Sequence, residues 1–425
     1  MDFPDTQKPN VLTAACRLFF ICMAGFPVFA LTVPRWVNVA IFAAAFIALY
    51  ILFCTRNIRQ SQSHRNWIAV LTVILLAPAV AVFLGQLFRQ QFSWPGFDSP
   101  LRFLLAIPIL LALLRTRVNT PRMLHLSIPL SVFATWAIAS YAPNLHWGEE
   151  RLATSVADPL NFGRITLSLG LLSLASVNWT GIDQWGVKLF KVAAFILACY
   201  LSVRSASRTG WMAFPLVLIL LAFTKGPQCR HPLWVKILAT LATILASLLL
   251  YQHIDVVHDR LALGIREFAD YRWNEVNPDT SVGLRISFAR MGYHLFLMHP
   301  WGGWGDMGYF SAINTPEFAA FTSQFGRWGA VMSGFHNEIT TNMVRSGVWG
   351  LCSSVALFLA PLLLFGSRLR ASDKLTRNTA VVGFSYVIIE LISAMTTEVF
   401  ELKYTAALYA LMLISLSAPL IALES

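Results

Sequence analysis

Long apolar runs separated by short polar breaks occupy most of the chain from residue 11 onward. A helix crosses a bilayer in about 20 apolar residues. Windows of that length predict twelve spans: 11–33, 36–54, 67–87, 100–115, 123–141, 160–178, 187–203, 210–224, 233–251, 343–365, 379–396 and 402–422. The 210–224 span is short. One polar stretch, from about Gln252 to Asn342, interrupts the pattern between spans nine and ten. It is too long for a simple connector, and no Gly/Ser/Pro linker sets it apart. The organisation expected is therefore one functional unit. Helices 1–9 lie in 1–251, a loop with the catalytic segment in 252–342, and helices 10–12 in 343–425. Within the loop, Leu284, Phe288, Met291, Leu295 and Met298 fall at helical spacing. Two placements are open for this segment. It lies flat in the membrane interface with Trp301, Trp304 and Trp328, or it packs on the bundle as an ordinary amphipathic helix. There is no internal repeat and no low-complexity tract. The fold class expected is an all-α polytopic membrane protein with about twelve transmembrane helices and one large, partly helical loop.

Composition strengthens the membrane assignment. Of the 425 residues, 56% are hydrophobic and only 12% charged, against about 25% charged in soluble domains. The start, Met1 to Asn10, contains Asp2, Asp5 and Lys8, so it is not the basic region of a cleavable signal. The run from Val11 to Val33 then reads as a span that stays. The six cysteines, Cys16, Cys22, Cys54, Cys199, Cys229 and Cys352, avoid the polar stretch, so no disulfide framework is implied there.

The net charge of +11 has two open explanations, a topology signal or a polyanionic ligand. Its distribution orients the chain. Arg56, Arg59 and Arg65 lie in loop 55–66, and Arg115, Arg117 and Arg122 in loop 115–122. Lys225, Arg230 and Lys236 follow in 225–236, and Arg368, Arg370, Lys374 and Arg377 in 366–378. The intervening loops 88–99 and 396–401 hold one basic residue, Arg89. By the positive-inside rule both termini are cytoplasmic, and the polar stretch between helices 9 and 10 is periplasmic.

That orientation leaves Arg151, Arg164, Arg204, Arg208, Arg260, Arg266, Arg272, Arg285, Arg290 and Arg327 on the outer side, where topology alone does not explain them. Arg204 and Arg208 stand out because short loops obey the rule, and theirs is the short turn Arg204-Ser-Ala-Ser-Arg208-Thr-Gly-Trp211. Guanidinium suits phosphate, since it is planar, always charged and forms paired charge-assisted hydrogen bonds. Ser205, Ser207 and Thr209 offer hydroxyl donors, and Gly210 permits close backbone approach. Lipid pyrophosphate at the membrane surface is one ligand for this turn. The alternative is headgroup snorkelling or pairing with Glu149 or Glu150. At the far end of the loop, Gly334-Phe-His336-Asn337-Glu338 places a histidine where a helix begins. Such a histidine is a candidate general base, with Asn337 or Glu338 to orient its ring, or a structural residue. Glu390 falls inside span eleven, with Glu398 and Glu401 just beyond. An intramembrane carboxylate is a functional candidate with an expected partner, here one of the outer arginines. Arg17 and Arg345 either serve as further partners or snorkel.

Several chemistries have no support. There is no Asp-x-Asp pair, phosphate-binding Gly-x-x-x-x-Gly-Lys-Ser/Thr loop, Gly-x-Ser-x-Gly elbow or His-Glu-x-x-His helix. His294, His299 and Asp306 match no metal-ligand spacing. No metal, cofactor or nucleic-acid partner is expected.

Taken together, Ser207-Arg208-Thr209-Gly210, then His336-Asn337 and Gly347-x-x-Gly350, resemble the O-antigen ligase superfamily of bacterial inner-membrane proteins. The stretch from Arg285 to Gly305, ending Pro300-Trp-Gly-Gly303-Trp-Gly305, is similar to the family's segment before the histidine, and the hydropathy layout also fits. The resemblance implies metal- and ATP-independent transfer of a polysaccharide from undecaprenyl pyrophosphate to lipid A–core, in lipopolysaccharide biosynthesis, at a periplasmic active site. It implies His336 as the catalytic base and Arg208 and Arg285 as pyrophosphate-binding residues. It places Glu390 at the acidic position of the penultimate helix. Arg204, Arg290 and Asn337 complete the candidate substrate-binding set. Thr340 and Thr341 depart from the family's commoner apolar residues, which touches the choice of acceptor.

Physically, the donor sugar is already activated by its pyrophosphate, so a base and a cationic clamp suffice, and direct attack inverts the anomeric centre. Three hypotheses follow. The first is the ligase. The second is a relative with the same chemistry, an O-antigen polymerase or a protein-modifying oligosaccharyltransferase. The chain's end at Ser425 weighs against the protein-modifying branch. The third is a transporter or flippase of lipid-linked sugars, which twelve spans suit. The lack of a repeat and the concentration of polar residues on one face argue against it.

Overall fold

The protein is described here by a computed structural model covering residues 9–55, 62–116, 120–147, 151–179, 181, 183–224, 233–273, 275–277 and 279–422. Arg56, Arg59, Arg117, Glu149, Glu150, Lys225, Cys229 and Arg230 lie outside the described residues. Among the described residues there is no strand, only an isolated bridge between Asn277 and Thr322.

Each predicted span is a helix. The first nine are α1 (Pro9–Val28), α2 (Trp36–Cys54), α3 (Gln62–Arg89), α4 (Pro100–Thr116), α5 (Thr120–Tyr141), α6 (Pro159–Ala175), α7 (Trp185–Arg204), α8 (Ala213–Thr224) and α9 (Leu233–His253). The polar stretch folds into α10 (Asp255–Ala269), α11 (Ser281–Met298), the single turns α12 (Phe310–Ile313) and α13 (Pro316–Ala319), and α14 (Gln324–Ser333). The last three helices are α15 (Glu338–Gly366), α16 (Lys374–Ala394) and α17 (Lys403–Ala422). Among the described residues, α1, α2, α3, α5, α7, α15, α16 and α17 are long and apolar enough to cross a membrane. The chain is thus an all-α, multi-pass membrane protein. Helices α4 and α6 have 17 residues and α8 has 12, short against the roughly 20 a full crossing needs.

Local chemistry sets several helix starts. Asp158 accepts from Leu160 N at 2.9 Å and Asn161 N at 3.2 Å to begin α6. Thr280 accepts from Gly283 N at 3.1 Å to begin α11, and Ser323 from Gly326 N at 3.0 Å to begin α14. Each oxygen satisfies an amide that has no partner within its helix. Burial follows apolar pattern. Helix α17 is apolar all round and is enclosed from Thr405 to Ile421, against α4, α16 and α2.

The main core runs through the spanning helices, and a second lies in the polar stretch. The second core unites Phe288, Met291 and Leu295 of α11 with Tyr309, Phe318, Phe335 and Val344. This settles the placement of segment 284–298. It packs on the bundle through the first turns of α15, and Gly292 meets the Thr340 side chain. Trp301 and Trp328 remain exposed.

Span ten departs from expectation. Its helix begins at Glu338, five residues before the predicted 343, and it is broken at Ser346 (φ −131°, ψ 16°) and Gly347 (φ 62°, ψ −145°). The cause is the Pro300–Gly305 loop, which docks into the break. Trp304 N donates to Val344 O at 2.8 Å, Gly305 N to Arg345 O at 2.9 Å, and Val348 N to Pro300 O at 2.8 Å. Arg89, at the end of α3, donates to Gly302 O and to Arg345 O. These loop amides and carbonyls replace the helical bonds lost at the break. A side chain at Gly347 would collide with Pro300 O, and its positive φ favours glycine in any case.

Candidate active site

The histidine segment is held by its neighbours in sequence. Phe335 is buried and packs against Phe288 and Tyr309. Gly334 (φ 73°) has no room for a side chain, because a Cβ there would sit 2.6 Å from Glu398 Oε1. Asn337 caps α15 by accepting from Thr340 N at 3.0 Å. Between these fixed points His336 adopts φ 49°, a left-handed conformation costly for a residue with a Cβ. Its ring stacks on Phe288 at 5.8 Å between centroids. The side chain is 31% exposed, so it can reach a ligand.

The orienting group differs from both sequence candidates. Asn337 is spent on the cap and on Met395 O, to which its Nδ2 donates at 3.3 Å. Glu338 is buried and turned away, accepting from Phe400 N at 2.9 Å and from Asn342 Nδ2. The carboxylate facing the ring is Glu398, whose Oε2 lies 3.7 Å from His336 Nδ1. That is within ion-pair reach but longer than a hydrogen bond. Glu398 is itself fixed, since its Oε1 accepts from Thr341 Oγ1 at 2.9 Å. The departure at Thr341 therefore has a structural use. An apolar residue there would leave this buried carboxylate one donor short.

Arg208 is presented by the tight turn after α7, in which Ala206 also adopts a positive φ of 53°. The turn's hydroxyls hold the turn rather than a ligand: Ser205 Oγ donates to Ser202 O at 2.7 Å and Ser207 Oγ to Leu160 O at 3.2 Å, both side chains being buried. Gly210 serves packing against Leu167 of α6. Arg208 reaches across α10 and donates from Nη1 to Arg260 O at 2.7 Å. Arg285, on α11, donates from Nε to Thr396 O at 3.2 Å and from Nη1 to Ser281 O at 2.8 Å.

The two guanidiniums share one electrostatic environment. Burial pushes Arg285 below its usual value and the like charge of Arg208 adds to this, while Glu267 and Glu398 pull the other way. Burial also lowers Arg208, opposed by Glu267 and assisted by Arg260. The segment from Met395 to Glu398 meets Arg285, Asn337 and His336, its backbone accepting from the first two and its Glu398 side chain facing the third. Of the sequence candidates, Arg285 and His336 both face the 396–398 segment, and Arg208 lies within electrostatic reach of Arg285.

The other candidates lie elsewhere. Arg204 is exposed and folds back on its own helix, bonding Tyr200 Oη at 3.1 Å and lying over that ring. Arg290 points into the second core's aromatic wall. It is 4.9 Å from the Phe321 ring centroid and 5.4 Å from that of Trp273, and it donates to Tyr271 Oη at 3.0 Å. Glu390 is buried in α16 and paired with Arg164 of α6, which also bonds Asn161 Oδ1 at 3.1 Å. Arg164, one of the arginines expected on the outer side, is therefore its partner. Arg345 pairs with Asp306 and Glu401, while Arg17 is exposed on α1. His294 pairs with Glu317, and His299 packs edge-on against Trp304.

Sequence reasoning noted Glu398 only as an acid beyond span eleven. Its role depends on the turn after α16 meeting the start of α15, and no local pattern encodes that meeting.

A family model described as O-antigen ligase matches residues 193–355, which take in Arg208, Arg285, the Pro300–Gly305 loop and His336. An uncharacterized protein of Haemophilus influenzae is 23% identical over 296 residues, covering 68% of this chain and 71% of that protein. The matched segment, which holds the histidine and both arginines, supports membership in the O-antigen ligase superfamily.

Proposed function

We propose that the protein is an O-antigen ligase of the bacterial inner membrane, transferring polysaccharide from undecaprenyl pyrophosphate to lipid A–core at the periplasmic face. The observation that carries this reading is one partly exposed histidine with its carboxylate partner, an arginine held on the same 396–398 segment, and a second arginine within electrostatic reach of the first. The charge asymmetry of the loops supports the periplasmic placement.

In the proposed step, Arg208 and Arg285 hold the donor's pyrophosphate. His336, its Nδ1 side facing Glu398, presents Nε2 to the acceptor hydroxyl. That oxygen attacks the anomeric carbon from the face opposite the pyrophosphate and forms the new glycosidic bond. Its proton passes to His336. The anomeric carbon–oxygen bond to the carrier breaks, and its electron pair stays on the pyrophosphate oxygen, where the arginines stabilise the added charge. Glu398 stabilises the imidazolium that forms. The sugar is activated before it arrives, so neither ATP nor a divalent metal has a role in this step. Inversion at the anomeric centre is the stereochemical result.

The test is transfer in detergent or liposomes with purified protein, varying the acceptor. Product on lipid A–core supports the ligase. Product only on a second lipid-linked glycan assigns the chain to polymerase chemistry at the same residues.

A further inference from the structure

We propose that Glu267 is a fixed counter-charge beside the arginine pair, partly offsetting Arg208 and Arg285 and speeding departure of the spent carrier. This rests on the donor-binding reading above. Glu267 lies on α10 one turn beyond Gly264, and Gly264 is where Arg208 crosses that helix. A Cβ at Gly264 would be 2.8 Å from Arg208 Nη1, and the same Nη1 donates to Arg260 O on the preceding turn. Oε2 of Glu267 accepts from Val282 N at 2.9 Å. The residue beside Val282, Ser281, binds Arg285 through its carbonyl and its hydroxyl, at 2.8 and 2.6 Å. The carboxylate is therefore pinned between the face of α10 that Arg208 crosses and the first turn of α11, which binds Arg285. It forms no direct ion pair with either among the described residues, yet it opposes the lowering of both guanidiniums.

The chemistry of the transfer makes such a group useful. The bound donor is a pyrophosphate diester. When its anomeric bond breaks, the carrier keeps the oxygen and becomes a monoester with one more ionisable site, whose second pKa is about 6 for a phosphate monoester. The product thus carries more negative charge than the donor. A purely cationic clamp that stabilises the growing charge also holds the product more tightly than the substrate, and release becomes slow. A fixed carboxylate beside both arginines weakens the hold on each ligand, and it does so more for the one with more charge.

Glu267→Gln tests this directly. Glutamine keeps an oxygen to accept from Val282 N and removes only the charge. The expected result is an inhibition constant for undecaprenyl pyrophosphate about tenfold lower than in the wild type, the order of effect for one unit charge at near-surface dielectric. The donor KM should fall less, and kcat should fall several-fold with a burst of first-turnover product. Glu267→Asp, which keeps the charge, should restore the ratio of product to donor affinity. An unchanged ratio in Glu267→Gln overturns the assignment and leaves donor binding intact. Weaker binding of both ligands overturns it too, by showing that Glu267 only positions Arg208. If wild-type protein fails to bind undecaprenyl pyrophosphate at all, the donor reading itself falls and this inference goes with it.

Discussion

Glu398 Oε2 lies 3.7 Å from His336 Nδ1, although the two residues belong to segments on opposite sides of helices α15 and α16 in the chain. The pairing explains how an otherwise ordinary histidine at a helix start acquires a defined ring orientation with Nε2 left for a substrate. It also explains the hydroxyl at Thr341, which holds the carboxylate in place. Replacing Glu398 by alanine should lower kcat by about ten- to a hundredfold with little change in donor KM, the behaviour of a group acting through the base. Steady-state transfer kinetics check this. Loss of donor affinity with kcat intact would assign Glu398 to binding instead. Thr341→Val should give a smaller fall in the same direction.

The arginine pair should act on the donor. Arg208→Ala and Arg285→Ala should each raise the donor KM by about tenfold or more, since a charge-assisted bond is worth about 1.5–3 kcal/mol. Lysine at either position should recover only part of the loss, because it lacks the planar fork. Binding of lipid-linked donor to each variant, measured without acceptor, reads the effect separately from chemistry. Arg204→Ala should leave that affinity within about twofold, since its guanidinium lies on Tyr200 at the outer surface.

Glu390 divides the two roles an intramembrane carboxylate can have. Removing Glu390 alone leaves the buried Arg164 charge unpaired, and such a loss costs about 3–5 kcal/mol. Glu390→Ala should therefore lower the melting temperature in detergent, and Arg164→Leu combined with Glu390→Leu should recover most of it. A Glu390→Ala protein that melts like the wild type but loses donor affinity would move this residue from the bundle's interior to the substrate site.

The broken helix α15 makes its own prediction. Gly347→Ala places a methyl against Pro300 O at a backbone conformation glycine favours, so the Pro300–Gly305 loop must shift. The expected cost is about 1–3 kcal/mol. Because the same loop contacts the turn before the break, activity should fall with stability. Thermal unfolding and transfer assays on one preparation check both. Unaltered stability would mean that the loop is not seated as described.

What could be read from residues alone follows the range of the interactions involved. All twelve apolar windows fall on helices because length and apolarity are local properties, and among the described residues eight of those helices are long and apolar enough to cross a membrane. The turn at Arg208 stood out in the sequence because arginines in a short loop expected on the outer side break a charge rule. The true start of α15 was not. Glu338 is polar, and it extends the helix only because Phe400 N and Asn342 satisfy it across the fold. The same limit applies to the hydroxyls of Ser205 and Ser207, which resemble ligand donors in sequence and instead donate to carbonyls of α7 and α6. Arg204 and Arg290 share a residue type with Arg208 and Arg285, and only tertiary contacts separate the pairs.

The most direct test is a single comparison between wild-type protein and His336→Ala, each purified and supplied with lipid-linked polysaccharide and lipid A–core, without ATP and with a metal chelator. The wild type should form product. His336→Ala should bind donor with wild-type affinity and form product at least about a hundredfold more slowly, the range for loss of a general base. A His336→Ala protein that transfers at the wild-type rate would contradict the account at its centre.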